Sequence, residues 1–238
     1  MEPVLTLDPA IPYRELRDPP LPEAVRVLAL DCFAAQRRAA AALAPDGEEA
    51  RASEVEPEAV SAAALERLLA SGRTVGGIVT QREVATAIPF NARLARDVVW
   101  SRDVAARRGA LDTALARWVT TLFAPAREPI LMPAGQWWYP PGTHFGWHTN
   151  DAYPGWRLYL SHAEEEGRSL FRYRDPSSGA VVTSPDARWH LRLFAISAER
   201  PLWHAIASST HRFSIGWHVR PWSLRDATVV RVKRMLGV

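Results

Sequence analysis

Two hydrophobic rhythms divide this chain. Up to about residue 125 the apolar residues recur at helical spacing; beyond it they come in short β-type runs broken by Pro and Gly. Residues 1–20 are Pro-rich and read as extended. Leu21 to Leu43 carries Val25, Val27, Leu28, Leu30 and Phe33, then an Ala-rich stretch, and predicts a helix. Ala44 to Glu58 is acidic and holds Pro45 and Pro57, so it reads as a loop. Pro57 to Ala70 predicts a second helix, with Ser71-Gly72 as its stop signal. From Asn91 to Phe123 the spacing of Leu94, Val98, Val104, Leu111, Leu115, Val119 and Leu122 predicts one or two amphipathic helices, with a break near Gly109.

The second rhythm predicts eight strands: Ile130–Tyr139, Phe145–His148, Trp156–His162, Ser169–Tyr173, Ala180–Thr183, Trp189–Ile196, Leu202–Ile206 and Arg212–Val219. Asp175 to Gly179, DPSSG, predicts a hairpin turn between two of them. Eight of the ten tryptophans lie beyond Pro125, which marks a separate packing regime. Eight short strands at this spacing imply a closed or sandwiched antiparallel barrel of the jelly-roll kind. Ser223 to Leu236 reads as a closing helix. The expected class is therefore α+β. A mostly helical N-terminal region, 1–125, packs on the barrel as support or forms part of a homodimer interface. The β core spans 126–222, and a C-terminal helix or tail spans 223–238.

Composition narrows the partners more than the fold. The net charge is only +3, and Lys233 is the only lysine among 29 basic residues. Arg-, Ala- and Pro-rich usage of this kind is a codon-bias signature of a GC-rich, bacterial-type genome. No Lys/Arg block accompanies the charge, so nucleic acid is not the expected partner. Cys32 is alone, which excludes a disulfide framework and a Cys-based zinc site. The first residues are acidic and broken by Pro, unlike a signal peptide. No run approaches the roughly 20 apolar residues of a membrane span. The expectation is a cytoplasmic protein with a small-molecule substrate.

Chemistry concentrates in two stretches, WYPPGTHFGWHTND from Trp138 to Asp151 and WHAIASSTHRFSIGW from Trp203 to Trp217. They place His148 and His204 on separate β runs, where a barrel can bring both inward. Two neutral imidazoles suit Fe(II), Zn or Cu, and the open non-haem iron site adds one carboxylate to them. Asn150 stands where that carboxylate is expected. Arg212 and Ser214, eight and ten residues beyond His204, offer a guanidinium fork and a hydroxyl for a carboxylate ligand.

Tyr139, Gly142, His148 and Asn150, followed by His204, Arg212 and Ser214, resemble the two motifs of the Fe(II)/2-oxoglutarate-dependent dioxygenases, in particular the prolyl-hydroxylase-like branch. The resemblance covers about residues 127–222, and Asn150 replaces the family's metal-binding Asp. The pattern YPPG…GWHTN…PG-R-YL is similar also to bacterial and phage oxygenase-like sequences that carry Asn at this place. The resemblance implies a double-stranded β-helix, the jelly-roll or cupin-like barrel. It implies His148, Asn150 and His204 as catalytic metal ligands, and Fe(II), 2-oxoglutarate and O2 as cofactor and co-substrates. Arg212 and Ser214 would anchor the distal carboxylate of 2-oxoglutarate, with Tyr139 beside it. The implied reaction is hydroxylation, or another oxidation, of a C–H bond in a small amino-acid-like or natural-product substrate.

The Asn leaves alternatives open. It can ligate through its amide oxygen. The position can be taken by water or by chloride, as in the family's halogenating members, whose residue there is smaller. Asp151 can swing in if a bulge reverses its face. His144 could complete a three-His, cupin-like site, or else line the mouth. A barrel that lost catalysis and kept a binding role, and a metal-binding sensor or isomerase without 2-oxoglutarate, are the competing classes. Arg157 and Tyr159, with Trp147 and His144, are the candidate substrate contacts; an outer polar face accounts equally well for Arg157 and Tyr159. His162, His190, His211 and His218 read as structural. The aromatic stripe of Trp137, Trp138, Trp147, Trp156 and Trp217 reads as core.

Overall fold

The computed structural model describes residues 5–43, 57–71, 74–75, 78–79, 84–85, 88–89, 98–123, 129–149, 154–197 and 200–221. Strand β1 (Tyr13–Arg17) precedes α1 (Glu23–Leu43). A short 3-10 turn (Glu58–Val60) leads into α2 (Ala62–Ala70). Four two-residue strands follow, β2 (Thr74–Val75), β3 (Ile78–Val79), β4 (Val84–Ala85) and β5 (Ile88–Pro89), and then α3 (Val98–Thr120). The β core comprises β6 (Pro129–Tyr139), β7 (Thr143–His148), β8 (Gly155–Ala163), β9 (Ser169–Arg174), β10 (Val181–Pro185), β11 (Trp189–Ile196), β12 (His204–Ser208) and β13 (Arg212–Pro221). Each predicted strand has its counterpart here, with ends shifted by a few residues. The 44–56 stretch of the predicted loop, the predicted helix over 223–236, Asn150 and Asp151 lie outside the described residues.

Two antiparallel sheets form a sandwich. The larger has the order β1-β11-β8-β13-β6-β5, the smaller β10-β9-β12-β7-β4. Tyr139, Phe194 and Ile196 of the larger pack against Phe145, Phe171 and Ile206 of the smaller. Alternation on β8 sends Leu158 and Leu160 outward to a second core, where they meet Phe33 of α1, Leu115 of α3 and Trp217 of β13. The larger sheet is thus covered on both faces, by helices outside and by the smaller sheet inside. The outer face of the smaller sheet, Trp147, Trp203 and Ala205, is covered by Val60 and Leu65. No helix among the described residues is long and apolar enough to cross a membrane.

Local chemistry explains the element ends. Ser61 caps α2, its side chain accepting the Ala64 N–H at 3.0 Å. The YPPG segment makes the turn from β6 to β7. Thr143 N–H donates to the Pro140 carbonyl at 3.1 Å, and Gly142 takes φ 80°, a conformation that favours glycine. The DPSSG turn forms as expected: the Asp175 carboxylate accepts the Ser177 N–H at 2.6 Å, and Gly179 takes φ 72°.

Two observations depart from the sequence reading. α3 runs unbroken through Gly109. The i,i+4 pairs Asp103–Arg107 and Arg108–Asp112, and the fully buried Leu111 and Leu115, outweigh a glycine penalty of about 1 kcal/mol. The N-terminal region also supplies sheet as well as helix. β1 pairs with β11, β4 with β7 and β5 with β6. β4 and β5, two residues each, carry no periodicity and left no signal, and the five-residue β1 lies in the Pro-rich stretch read as extended.

Candidate active site

Strand register arranges the interior face of the larger sheet in rows. Arg212 faces Ala163 and Tyr139 across the ladder. Ser214 faces Ser161 and Trp137. Gly216 faces Tyr159, which in turn faces Arg192. His218 faces Arg157, which faces Phe194. Ala134 and Gly135 bulge opposite Gly216, where the register slips between Ile215 and Trp217. With residues of the smaller sheet these groups line a cavity of about 180 Å³. Gly216 is needed for this floor: a Cβ there would lie 2.6 Å from the Tyr159 ring.

His148 and His204 meet in this cavity. They are register partners on β7 and β12, with ring centroids 4.1 Å apart. Phe145 pairs with Ile206, so two β7 residues, Gly146 and Trp147, oppose the single Ala205. This bulge lets Phe145 and His148, three residues apart, both face inward, where strict alternation would send one out. Nδ1 of His148 donates to the Gly146 carbonyl at 2.8 Å, and Nδ1 of His204 to the Leu202 carbonyl at 2.9 Å. A carbonyl only accepts, so both neutral rings hold their lone pair at Nε2, the tautomer a metal needs. The rings are 6% and 4% exposed and are walled by Phe145, Phe171 and Phe194. Two such imidazoles fit a divalent iron, zinc or copper ion. Among the described residues no group of three His, Cys, Asp or Glu side chains gathers around a common point.

Arg212 is 1% exposed and held from behind. Its Nε donates to Asp186 at 2.7 Å and its Nη2 to Ser161 at 3.2 Å; Nη1 is buried with no hydrogen-bond partner among the described residues. The guanidinium sits 5.1 Å from the centre of the Tyr139 ring. Burial pushes the Tyr139 phenol above its ordinary range, against the pull of Arg212, so it stays a neutral donor. Ser161 and Ser214 hydroxyls lie 3.2 Å apart beside the guanidinium. Asp186, 1% exposed, also accepts from Ser169 at 2.6 Å and lies 2.8 Å from Arg192 Nη1. Burial alone would raise its carboxyl. The two guanidiniums, with the nearby His190 ring and the hydrogen bond from Ser169, instead hold it well below the usual carboxylate range. Arg192 reaches Glu15 of β1 at 3.4 Å, so the N-terminal strand closes the charge network.

Of the residues expected at the site, Tyr139, His148, Arg157, Tyr159, His204, Arg212 and Ser214 line one cavity. Two do not. Trp147 lies on the outer face of β7, in the cluster with Val60 and Leu65, and its Nε1 donates to the Ser61 carbonyl at 2.8 Å. His144, one residue before the inward Phe145, falls on the side of β7 away from the cavity. The bulge is what separates them, and it left no mark in the sequence. His162, tilted against Trp189 with ring centroids 4.4 Å apart, and His190, 3.5 Å from Asp186, do not line the cavity. His218 and Trp137 were read as structural and core, but both line the cavity. Asp186 and Arg192 were not found from the sequence; Asp186 sits in a Ser-Pro-Asp stretch that reads as an ordinary turn.

No family model matches this chain. No curated protein matches it either. Among solved structures it is similar to a prolyl hydroxylase from Trichoplax adhaerens in complex with a hypoxia-inducible-factor oxygen degradation domain peptide fragment. The identity is 9%, over 92% of this chain and 86% of that one, with a TM-score of 0.42. It is similar also to a Pseudomonas putida prolyl-4-hydroxylase, at 16% identity over 88% of this chain and 92% of that one, with a TM-score of 0.36. Likeness at this level assigns neither substrate nor activity.

Proposed function

We propose that this chain is a non-haem Fe(II)/2-oxoglutarate-dependent oxygenase built on a double-stranded β-helix. The strand order supports the architecture: β6-β13-β8-β11 in one sheet faces β7-β12-β9-β10 in the other, as in a jelly roll. One observation carries the function. Two imidazoles with Nδ1 tied to backbone carbonyls share a cavity with a buried guanidinium that has one nitrogen unpartnered among the described residues. An uncompensated buried donor is costly unless a ligand meets it.

His148 and His204 would hold the metal, with Asn150 as the third proposed ligand. Ferrous iron bound there would supply the oxidative chemistry, with O2 and the 2-oxo acid as co-substrates. The residues of the chain do the rest. Arg212 receives the distal carboxylate of 2-oxoglutarate through Nη1. Asp186 and Ser161 fix the guanidinium, the Tyr139 ring lies 5.1 Å from it, and Ser214 adds a hydroxyl 3.2 Å from that of Ser161. Phe145, Phe171 and Phe194 keep the imidazole pair dry. A neutral Asn removes one negative charge next to the metal, so iron binds less tightly than to an Asp-bearing site.

Anaerobic addition of Fe(II) and 2-oxoglutarate to the purified chain tests the reading. A visible metal-to-ligand charge-transfer band is expected, absent in His148→Ala and His204→Ala. No band in the wild type, at concentrations that saturate both ligands, overturns it in favour of a silent barrel. Asn150→Asp is expected to tighten iron; tighter binding by the wild type contradicts the ligand assignment.

A further inference from the structure

We infer that Glu15, carried to the cavity wall by the N-terminal strand β1, is an internal counter-anion: it offsets Arg192 and so holds down the affinity of the closed, Arg212 end for an acidic ligand. That this ligand is 2-oxoglutarate rests on the oxygenase reading; the charge balance itself does not.

Two guanidiniums converge on that end. Arg192 lines the same cavity as Arg212, and both are 1% exposed. Asp186 stands between them, 2.7 Å from Arg212 Nε and 2.8 Å from Arg192 Nη1. One carboxylate cannot balance two buried, permanently charged guanidiniums. The second carboxylate comes from the far end of the chain. β1 is the edge of the larger sheet, and its register with β11 sets Glu15 opposite Arg192. Glu15 Oε2 lies 3.4 Å from Arg192 Nε. The Ser184 hydroxyl links the pair, donating to Glu15 at 2.7 Å and accepting from Arg192 Nη2 at 3.1 Å. The Tyr13 phenol donates to the same carboxylate at 2.8 Å.

The charges of this cluster cancel. Burial alone would raise the Glu15 carboxyl, but the hydrogen bonds from Ser184 and Tyr13 and the Arg192 charge hold it below its ordinary range, so it is ionised, as Asp186 is. His190 lies 3.5 Å from Asp186 and 4.0 Å from Glu15. Its Nδ1 accepts the Ala187 N–H at 3.1 Å, and burial favours the neutral ring, so it adds no charge. No other side chain among the described residues forms an ion pair with Glu15, Asp186, Arg192 or Arg212. A ligand carboxylate reaching Arg212 is therefore a third anion beside two cations.

Glu15 is the member whose charge can be removed with the least disturbance of Arg212. It touches Arg192 and not Arg212, and its side chain is 27% exposed where that of Asp186 is 1% exposed. Arg192 Nε and Nη1 make no hydrogen bond among the described residues and are held to the two carboxylates by charge. Without the Glu15 charge the cluster is left with one net positive charge, and Arg192 adds its attraction to that of Arg212. A residue that only braced the site would have the opposite effect, since its loss would loosen the ligand.

Four full-length chains test this: wild type, Glu15→Gln, Arg192→Gln and the double variant. Their cluster charges are zero, plus one, minus one and zero. The probe is 2-oxoglutarate, titrated calorimetrically with Fe(II) under anaerobic conditions. Affinity should follow charge, with Glu15→Gln tightest, wild type and the double variant alike, and Arg192→Gln weakest. Charges on the order of 10 Å apart, at the effective dielectric of partly exposed groups, set each step at about three- to tenfold. The melting temperature of ligand-free Glu15→Gln should fall below that of the wild type, because Arg192 is left undercompensated. Weaker binding by a folded Glu15→Gln chain, or a double variant weaker than either single one, would mean that Glu15 only braces the fold and overturns the proposal. Equal affinity in all four chains does so too. If Arg192→Gln does not fold, Glu15→Gln against wild type decides alone. If the wild type binds no 2-oxoglutarate, the oxygenase reading fails instead. The chains are then ranked with glutarate and no metal; the same order upholds the charge balance, and any other order, or no binding, overturns it.

Discussion

Asp186→Asn is the sharpest test of how the cavity is held. The carboxylate is 1% exposed and bridges Arg212 at 2.7 Å and Arg192 at 2.8 Å, with a 2.6 Å hydrogen bond from Ser169. Asn keeps the shape but removes the charge, and it turns one acceptor into an N–H donor facing a guanidinium. Removing one partner of a buried ion pair costs about 3–5 kcal/mol, because the remaining charge is left uncompensated. For a chain of this size roughly 2–4 °C accompanies each kcal/mol, so the melting temperature should fall by roughly 6–20 °C. The pH dependence has a definite sign. The folded carboxyl is held below its unfolded value, so the stabilisation is complete above the unfolded pKa of about 3.9. It is lost as pH falls toward the folded pKa. Urea denaturation of both chains at pH 7 and across pH 5 to 3 is the assay. The gap should be full at pH 7 and narrow below about pH 4. A gap under about 1 kcal/mol at pH 7, or one that widens in acid, would refute the claim that Asp186 organises the two guanidiniums.

Other substitutions separate the roles of neighbouring groups. Arg212→Lys cannot reach Asp186, Ser161 and a ligand carboxylate with one ammonium, so 2-oxoglutarate affinity should drop at least ten-fold, about 1.4 kcal/mol, in a calorimetric titration; a drop under two-fold removes Arg212 from the co-substrate site. Gly216→Ala places a methyl 2.6 Å from the Tyr159 ring and should cost about 1–3 kcal/mol by overpacking, measured by urea denaturation; an unchanged midpoint would mean that the ring is not held there. Trp147→Phe loses the donor to the Ser61 carbonyl and should cost about 1 kcal/mol while leaving the Fe(II)–2-oxoglutarate band intact; loss of the band would put Trp147 back at the cavity.

The sequence by itself determined the eight strands of the β core. Runs such as Trp189–Ile196 and Arg212–Pro221 are rich in β-branched and aromatic residues and bounded by turn chemistry, and those signals are local. It also determined the long helices, whose apolar spacing is written in one stretch of chain. The residue types of the site were legible as well, because imidazoles and a guanidinium have few other uses in that order. Which face each residue takes was decided only by the tertiary structure. On a strand covered from both sides, periodicity cannot tell Arg157 and Tyr159 from Leu158 and Leu160 as the inward set; the helices that bury the leucines settle it. The bulge opposite Ala205 turns His148 inward and leaves His144 and Trp147 outside, and a bulge is fixed by pairing with a strand distant in the sequence. Asp186, Arg192 and Glu15 join Arg212 from three separate segments. A buried charge cluster of that kind exists only when long-range folding brings its members together, since no one segment of sequence contains both the charge and the group that compensates it.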